Sequence, residues 1–352
     1  MIPRAFSAGL VLLLVAALLQ PAAAIEIEEA RSYPALREAG ARSLLHVIGT
    51  TEADAMDGIV RTFRALQPDV ALIYHQASSL DVYKAIEGAV TFDGQSYDLA
   101  ISSAMDLQIK LVNDGLARRH RSLVTTRLPR WASWRERIFG FTREPAVIAY
   151  DMKAFAEAPP QSRFELLSLL RSEEGRFAGR VATYDPKVSG LGYLFATQDS
   201  LQSETYWRLM EVFGNLSARL SCCSGEMLDL LESGEIAVAY NVLGSYAQAR
   251  RAAGAPIGII YPQDYTLLMV RTALIPASSD NAEDAGKFID FLVSPEGQRV
   301  IAGEASLAPA LPEGDEGSLI PIRLGPGLLV FLDSLKRRAF LSEWESAVTA
   351  KR

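Results

Sequence analysis

Hydrophobic and polar positions alternate between two periods along this chain. Short apolar runs with strand character cover residues 44–48, 70–74 and 97–101, and each is followed by a segment whose apolar residues recur at helical spacing. The spacing predicts three consecutive strand–helix units over residues 44–115. Such a succession is typical of an open, mostly parallel sheet in an α/β protein.

Each of these predicted strands ends in a pair of small hydroxylated residues at the start of a helix. In open α/β sheets, ligands bind beyond the carboxyl ends of the strands, and helix N-termini offer free N–H groups and a partial positive charge. One such residue is usually a plain helix cap. Three pairs at equivalent places predict a shared ligand cleft; they are Thr50-Thr51, Ser78-Ser79 and Ser102-Ser103.

A second strand–helix series begins with the apolar run 146–150 and continues through 180–184, 235–240 and 257–261. The pattern therefore predicts two α/β lobes. The first comprises residues 25–145 and 266–352, the second comprises 146–265, and the chain crosses between them near 140–150 and 262–270. Further predictions are strands at 266–270 and 273–275, one helix over 281–302, and an amphipathic helix over 328–348 that packs on the first lobe.

The first 24 residues have the pattern of a secretory signal peptide. One cation, Arg4, precedes an apolar stretch over 8–19, and small residues end the segment at Ala22–Ala24. We expect cleavage after Ala24 and a periplasmic mature chain; the alternative is an uncleaved membrane anchor. The apolar stretch is short for a span, and the A-x-A ending favours cleavage.

Charge and composition exclude several classes of function. Without Arg4, the mature chain has 34 of the 35 lysines and arginines and all 42 acidic residues, which gives a net charge of −8. Such an acidic chain is a poor nucleic-acid binder. It also lacks a basic stretch for a membrane surface. The only two cysteines are adjacent, Cys222 and Cys223. They are interpreted as two small buried hydrophobes or as a strained vicinal disulfide, and a metal site is disfavoured.

The sequence offers no recognisable catalytic motif. There is no G-x-S-x-G elbow and no P-loop, and the three histidines make a zinc-hydrolase core hard to assemble. Ser189 lies in the turn V-S-G-L-G, but no histidine stands in a motif that would activate it. We therefore expect a protein that is not an enzyme and that needs neither a metal nor another cofactor.

Four stretches carry a family resemblance. KFIDFLVSPEGQ (287–298) and YPQDYTLLMV (261–270) resemble segments of bacterial extracellular solute-binding proteins of the iron(III)/sugar-phosphate branch. GEIAVAYNVLGSYAQ (234–248) and ATYDPKVSGLGYLFATQD (182–199) are similar to the subgroup of periplasmic regulators of phosphoglycerate transport. The resemblance covers essentially the whole mature chain.

The resemblance implies a type II periplasmic binding fold. Two α/β lobes close like a clamshell on a solute held between helix N-termini, and a membrane partner recognises the closed form. The implied partner is an ABC permease or, alternatively, a sensor histidine kinase, and the protein is expected to be a monomer.

The nature of the solute is narrowed by comparison with the iron-binding members of that branch. They carry two neighbouring tyrosines and often a first-lobe histidine, whereas Tyr240 and Tyr246 stand apart here and the histidine position reads GTTE. A small phosphorylated or carboxylated anion is therefore favoured over iron(III). Arg143 adds charge or is a surface cation, and Tyr193 is favoured as a core residue. The predicted ligand-binding residues are Thr50, Thr51, Ser79, Ser102, Ser103, Ser189, Gly190, Gly192, Asn241, Ser245 and Tyr246.

Overall fold

A computed structural model describes residues 25–37, 40–92, 94–155, 159–303, 307 and 318–349. The predicted signal peptide lies outside these residues. Within the described part of the chain, no helix combines the length and the apolar character that a membrane span needs.

The strands in chain order are β1 (Ile27–Tyr33), β2 (Ser43–Gly49), β3 (Val70–Ala77), β4 (Thr91–Phe92), β5 (Gln95–Ser96), β6 (Leu99–Ser102), β7 (Ser133–Trp134), β8 (Ile138–Gly140), β9 (Glu144–Asp151), β10 (Val181–Tyr184), β11 (Arg219–Ser221), β12 (Val238–Leu243), β13 (Ile257–Ile260), β14 (Thr266–Met269), β15 (Thr272–Leu274) and β16 (Leu319–Pro321). The helices are α1 (Ala53–Leu66), α2 (Ser79–Glu87), α3 (Met105–Asn113), α4 (Arg163–Ser172), α5 (Glu174–Phe177), α6 (Gly190–Gln202), α7 (Thr205–Asn215), α8 (Ser224–Glu232), α9 (Gly244–Ala252), α10 (Ala282–Val293), α11 (Pro295–Gly303) and α12 (Ser334–Thr349). Two short 3₁₀ segments cover Thr125–Arg127 and Pro326–Leu332.

The strands form two large mixed sheets, one in each lobe. The first has the order β1-β3-β2-β6-β15-β8-β7, and the second has the order β11-β10-β12-β9-β14-β16, with β13 also paired to β9. The predicted parallel arrangement is present where β2 pairs with β3 and β6, and where β10 pairs with β11 and β12. Strands β15 and β9, which carry the chain from one lobe to the other, pair antiparallel with these parallel strands.

Two adjacent segments connect the lobes. The chain leaves the first sheet after Gly140 and enters the second at Glu144, and it returns between Met269 and Thr272. The two crossings are hydrogen-bonded to each other, because the Phe141 N–H donates to the Arg271 carbonyl and the Arg271 N–H donates to the Thr142 hydroxyl. This geometry is typical of a two-stranded hinge.

Three predictions about the chain after residue 265 are wrong. Strands β14 and β16 belong to the second sheet, so the stretch from residue 266 does not return at once to the first lobe. Helix α12 packs on α7 of the second lobe, because Phe340, Trp344 and Val348 recur on one helical face and join its core. The predicted helix over 281–302 is two helices, since Pro295 begins α11 directly after Ser294.

Candidate functional site

A cavity of about 300 Å³ lies between the two lobes. Its first-lobe wall is formed where β2, β3 and β6 end and their helices begin, as expected for an open α/β sheet. Its second-lobe wall is formed by the ends of β10, β11 and β12. The lining residues are Glu28, Thr50, Glu52, Gln76, Ala77, Ser78, Ser79, Ser103, Tyr184, Val188, Ser189, Leu191, Cys222, Cys223, Ser224, Gly225, Leu243, Tyr246 and Arg271.

Three of the five hydroxylated residues predicted in the first lobe line this cavity, namely Thr50, Ser79 and Ser103. Thr50 and Ser103 hold each other in place, because the Ser103 N–H donates to Thr50 Oγ1 at 3.2 Å. Ser102 is outside the lining and accepts the Ala104 N–H through its own side chain at 3.1 Å, so it is a local turn residue.

The loop after β10 meets the first lobe directly. Ser189 is the N-cap of α6, and its Oγ accepts the Gly192 N–H at 3.1 Å. The Gly190 N–H donates across the cleft to Ser79 Oγ, also at 3.1 Å. Both amides therefore already have acceptors, and neither Gly190 nor Gly192 lines the cavity.

Gly190 is required by this close approach of the lobes. A Cβ at Gly190 would lie 2.6 Å from Ser79 Oγ, 3.1 Å from Leu107 Cδ1 and 3.2 Å from the Ala104 Cβ, all three on the first lobe. The first of these distances requires the Ser79 side chain to turn away and lose its hydrogen bond from the Gly190 N–H, and the other two require first-lobe neighbours to give by a few tenths of an ångström, so a Cβ disfavours this close approach of the lobes.

Asn241, a predicted ligand residue of the second lobe, lies outside the cavity. Asn241 is buried with φ +63°, and its side-chain amide donates to Asp199 at 2.6 Å in the second-lobe core. Tyr240 donates to the same carboxylate at 2.8 Å. The prediction placed Asn241 in the cleft because it follows a strand, but a bulge at this point of β12 turns its side chain into the core.

Ser245 and Tyr246 divide between the cleft and the layer beneath it. Tyr246 lines the cavity, and burial raises the pKa of its phenol. Ser245 is buried below, where its hydroxyl donates to the carboxylate of Glu144. Ser245 thus supports a residue of the site without reaching the cavity itself.

The main polar group that the sequence analysis missed is Arg271. It lies in the second crossing segment and lines the cavity although its side chain is only 1% exposed. Its Nε donates to Glu144 Oε1 at 2.5 Å, and its Nη1 donates to Thr51 Oγ1 at 3.1 Å. Thr51, predicted as a ligand residue, is instead a support for this guanidinium.

The third nitrogen of the Arg271 guanidinium, Nη2, has an environment different from that of Nε and Nη1. Among the described residues, Nη2 has no acceptor in hydrogen-bonding geometry, and its polar neighbour is Tyr246, whose ring lies 5.2 Å from the guanidinium carbon. Burial lowers the pKa of Arg271, but attraction to Glu144 outweighs it and holds the pKa above the ordinary value. Arg271 is therefore charged. No local pattern around Val270-Arg271-Thr272 distinguishes it, and the partner that defines it is 127 residues away.

Two carboxylates stand at the rim of the same cavity. Glu28 and Glu52 both line it, and burial raises the pKa of Glu52 even though attraction to Arg271 opposes this. Since Glu144 already neutralises Arg271, the lining is not a simple positive pocket. It has one charge-paired guanidinium at the hinge and two acidic groups, Glu28 and Glu52, at the rim.

The second-lobe wall also includes the start of α8. Tyr184 and Ser224 hydroxyls lie 2.6 Å apart, and Ser224 Oγ also accepts the Leu243 N–H at 2.9 Å. Cys222 and Cys223 precede this helix and are exposed at the cavity wall, so the interpretation as two buried hydrophobes is wrong. The surrounding sequence contains mostly polar residues (SCCSGE), which was the available signal.

The two residues left open by the sequence analysis lie outside the cavity. Arg143 is exposed and is not among the residues that line the cleft. Tyr193 is a core residue, as favoured, since its ring packs against Phe340 and its hydroxyl donates to the Phe331 carbonyl at 2.5 Å.

Both the sequence and the fold of this chain match known proteins. Residues 45–304 match the sequence profile of a family described as bacterial extracellular solute-binding protein. The substrate-binding protein of an ABC transporter from Agrobacterium tumefaciens has 31% identity and a TM-score of 0.85, and the match covers 92% of this chain and 99% of that one. No protein in a curated set matches the sequence significantly.

More distant structures share the fold alone. The periplasmic binding protein AfuA from Actinobacillus pleuropneumoniae, with fructose-6-phosphate bound, has 16% identity and a TM-score of 0.72, covering 88% of this chain and 99% of that one. Iron-bound HitA from Pseudomonas aeruginosa has 18% identity and a TM-score of 0.65, covering 87% and 99%.

Proposed function

Because this chain belongs to the bacterial extracellular solute-binding proteins, we propose that it captures a small anionic solute between its lobes for an ABC-type importer. The solute class is a phosphorylated or carboxylated metabolite. The importer follows from the similarity to the Agrobacterium protein. The observation that carries the anion is Arg271, a buried guanidinium in the cavity wall with one nitrogen that lacks an acceptor.

A buried donor without an acceptor is costly, and a charged one more so. Nε and Nη1 of Arg271 donate to Glu144 and Thr51, which fix the guanidinium plane; among the described residues the buried Nη2 has no acceptor in hydrogen-bonding geometry, and the Tyr246 phenol is the polar group beside it. A carboxylate or phosphate oxygen would satisfy it through a charge-assisted hydrogen bond, which is about twice as strong as a neutral one. Hydroxyls of Thr50, Ser79 and Ser103 supply further donors.

The rim narrows the solute further. A compact dianion would feel repulsion from Glu28 and Glu52, which line the same cavity. A solute with one anionic group at the hinge and hydroxyl or ammonium groups towards the rim would instead donate hydrogen bonds to these carboxylates. We therefore favour a polyhydroxylated phosphate or a zwitterionic carboxylate over inorganic phosphate.

Iron(III) is the weaker alternative for this cavity. Tyr240 donates to Asp199 in the second-lobe core and is outside the lining, so it cannot join Tyr246 as a second phenolate. Tyr184 does line the cavity, but its hydroxyl is hydrogen-bonded to Ser224 and burial raises the pKa of its phenol, which disfavours the phenolate. We also propose that the protein binds its solute without converting it. None of the described histidines lines the cavity, so none stands beside Ser189 to act as its general base. A role as a sensor for a histidine kinase remains a prediction without a supporting observation.

Export completes the proposal. The predicted signal peptide directs the chain to the periplasm, and cleavage after Ala24 leaves Ile25 as the first residue. N-terminal sequencing of the exported protein tests this, since a chain that keeps residues 1–24 after export would be an anchored one.

The solute is tested by thermal unfolding with inorganic phosphate, fructose-6-phosphate, γ-aminobutyrate and ferric citrate, the second being the sugar phosphate of the AfuA structure. A solute at a hundred times its Kd stabilises the native state by about 2.7 kcal/mol. We expect the sugar phosphate and the zwitterionic carboxylate to raise Tm and inorganic phosphate to do so weakly. A shift with ferric citrate alone would refute the proposal.

Variants connect the shift to Arg271. Removing Arg271 alone leaves Glu144 buried and unpaired, so the informative change is Arg271→Gln together with Glu144→Gln. This double variant should fold and lose the ligand shift. Arg143→Gln is the matched control, because it removes an exposed arginine one residue from Glu144 and should keep the full shift.

A further inference from the structure

The adjacent cysteines of the cavity wall have no role in the proposed binding chemistry. Cys222 and Cys223 are the only two cysteines of the sequence, so neither has another disulfide partner within the chain. They lie in the turn between β11 and α8, both are exposed, and both line the cavity. A reagent from solvent can therefore reach them.

The turn brings the two thiols together. The sulfur atoms lie 2.7 Å apart, and the turn is held by Glu226, whose Oε2 accepts the Cys222 N–H at 3.0 Å. Consecutive Cα atoms are about 3.8 Å apart across a trans peptide, which is shorter than the span of about 4.4–6.8 Å usual for disulfides. A bond between neighbours is therefore strained, and strained exposed disulfides are the readily reduced ones.

We propose that Cys222 and Cys223 are a reversible oxidation site that forms a vicinal disulfide in the wall of the solute cavity. The oxidant is a disulfide, either a small glutathione-type disulfide or a disulfide-donating thiol oxidoreductase. One cysteine thiolate attacks a sulfur of that disulfide, a mixed disulfide forms, and the first thiol leaves. The neighbouring thiolate then attacks the mixed disulfide, and the second thiol leaves.

Electrons and protons balance in this exchange. The two cysteines lose two electrons and two protons, and the incoming disulfide gains both as two thiols. Although the Cys222 side chain is exposed, partial desolvation of its sulfur and the adjacent Cys223 thiol raise the pKa of Cys222, which lowers its thiolate fraction near neutral pH. Uncatalysed oxidation is then slow, and this favours an enzymatic disulfide donor over simple exposure to air.

The consequence concerns the wall that a solute would touch. The reduced pair presents two S–H groups, whereas the disulfide presents an apolar sulfur surface and stiffens the turn that precedes α8. The first residues of that helix, Ser224 and Gly225, line the cavity too. The oxidation state would thus change the polarity and rigidity of one wall, whatever solute the cavity holds.

The test needs no ligand. The full chain, exported by a bacterial host, is quenched in acid, unfolded, treated with N-ethylmaleimide and weighed by mass spectrometry. We expect no adduct, and two adducts after dithiothreitol. The matched variants Cys222→Ser and Cys223→Ser should each carry one adduct without any reductant. A proteolytic peptide that contains both sulfurs locates the bond.

A second arm measures reversibility. The reduced chain is equilibrated in glutathione buffers of rising disulfide content, and the oxidised fraction should rise within the range of such buffers and fall again on return. Three results would overturn the proposal: two adducts on the exported chain before reduction, dimers of the wild-type chain linked by disulfides, or a thiophilic metal held by the pair. The last is a real competitor, because Glu226 lies with both sulfurs within 4.8 Å of one another.

Discussion

Removing one partner of the buried Arg271–Glu144 pair should cost more stability than removing both. Their side chains are 1% and 0% exposed, and the guanidinium and carboxylate meet at 2.5 Å beneath the cavity. Arg271→Gln leaves the Glu144 carboxylate with the Ser245 hydroxyl as its remaining donor. Glu144→Gln leaves a buried guanidinium without a counter-charge, with only neutral acceptors such as Thr51 and the new amide oxygen.

The magnitude follows from the burial of both charges. Breaking a buried pair by removing one member typically costs about 3–5 kcal/mol, because an unpaired charge remains in a low-dielectric site. Replacing both members by neutral residues of similar size costs far less and is often close to neutral. We therefore expect each single variant to lose about 3 kcal/mol and the double variant to lose less than either.

Urea unfolding at neutral pH, followed by circular dichroism, measures these free energies, with coincident transitions as the check for two-state behaviour. Arg143→Gln is the control and should change stability by no more than about 0.5 kcal/mol, since Arg143 is exposed. The reasoning is refuted if either single variant loses under about 1 kcal/mol, or if the losses of the two single variants simply add in the double variant.

Three further predictions concern lobe closure and pH. Gly190→Ala should keep the lobes apart and give a larger radius of gyration in X-ray scattering with solute, whereas Gly175→Ala, where a Cβ meets nothing within 4 Å, should not. Burial between the lobes raises the pKa of Asp106 to about 7, so closure should weaken as pH rises from about 4 through 7, and Asp106→Asn should remove this dependence. Burial raises the pKa of Asp284, but hydrogen bonds led by that from Arg42 outweigh burial and lower the pKa to about 2. The ionised carboxylate should therefore stabilise the fold by about 1–2 kcal/mol above pH ~4, and this contribution should vanish as pH falls towards 2. Urea unfolding of Asp284→Asn should show no such contribution.

Each of these predictions has a contrary outcome. If Gly190→Ala closed to the wild-type radius of gyration, the contact between the lobes at Gly190 and Ser79 (the seam) would tolerate a methyl group. A pH-independent radius for the wild-type protein would mean that Asp106 is equally buried when the lobes open; Arg337 and Tyr193, which face it in the seam, are the other titratable groups there. If the wild-type and Asp284→Asn chains lost the same stability in acid, the hydrogen bonds of Asp284 would not be the source of the pH-dependent stabilisation.

The sequence predicted what local patterns determine. Periodicity identified β2, α1, β3, α2, β6 and α3, because strand and helix periods are properties of a few neighbouring positions. Of the predicted hydroxyl caps, Ser78 caps α2, whereas the N-caps of α1 and α3 are Glu52 and Ala104. The same signals located the cleft, since the carboxyl ends of parallel strands share one edge of a sheet. Three of the five predicted first-lobe hydroxyl residues accordingly line the cavity.

Assignments that depend on distant partners were not predictable. The pattern of Phe340, Trp344 and Val348 predicts an amphipathic helix but contains no information about which lobe covers its apolar face. In the same way, Val270-Arg271-Thr272 reads as an ordinary strand segment. Arg271 becomes a candidate anion site only because Glu144 and Thr51 fix it from two other segments.

The loop that most resembles an anion cradle illustrates how such a signal can mislead. Ser189, Gly190 and Gly192 form a helix start of the expected kind, yet its amides are already bonded, one to Ser189 itself and one to Ser79 of the opposite lobe. A helix start that faces another lobe can be used for closure as readily as for a ligand, since both offer oxygen acceptors to the same N–H groups. The two roles differ in what they require at Gly190: a cradle needs a free amide, whereas a seam needs the absence of a Cβ. The distance of 2.6 Å from that absent Cβ to Ser79 Oγ favours a role for the loop in contact between the lobes, and the proposed function therefore assigns recognition of the solute's charge to Arg271.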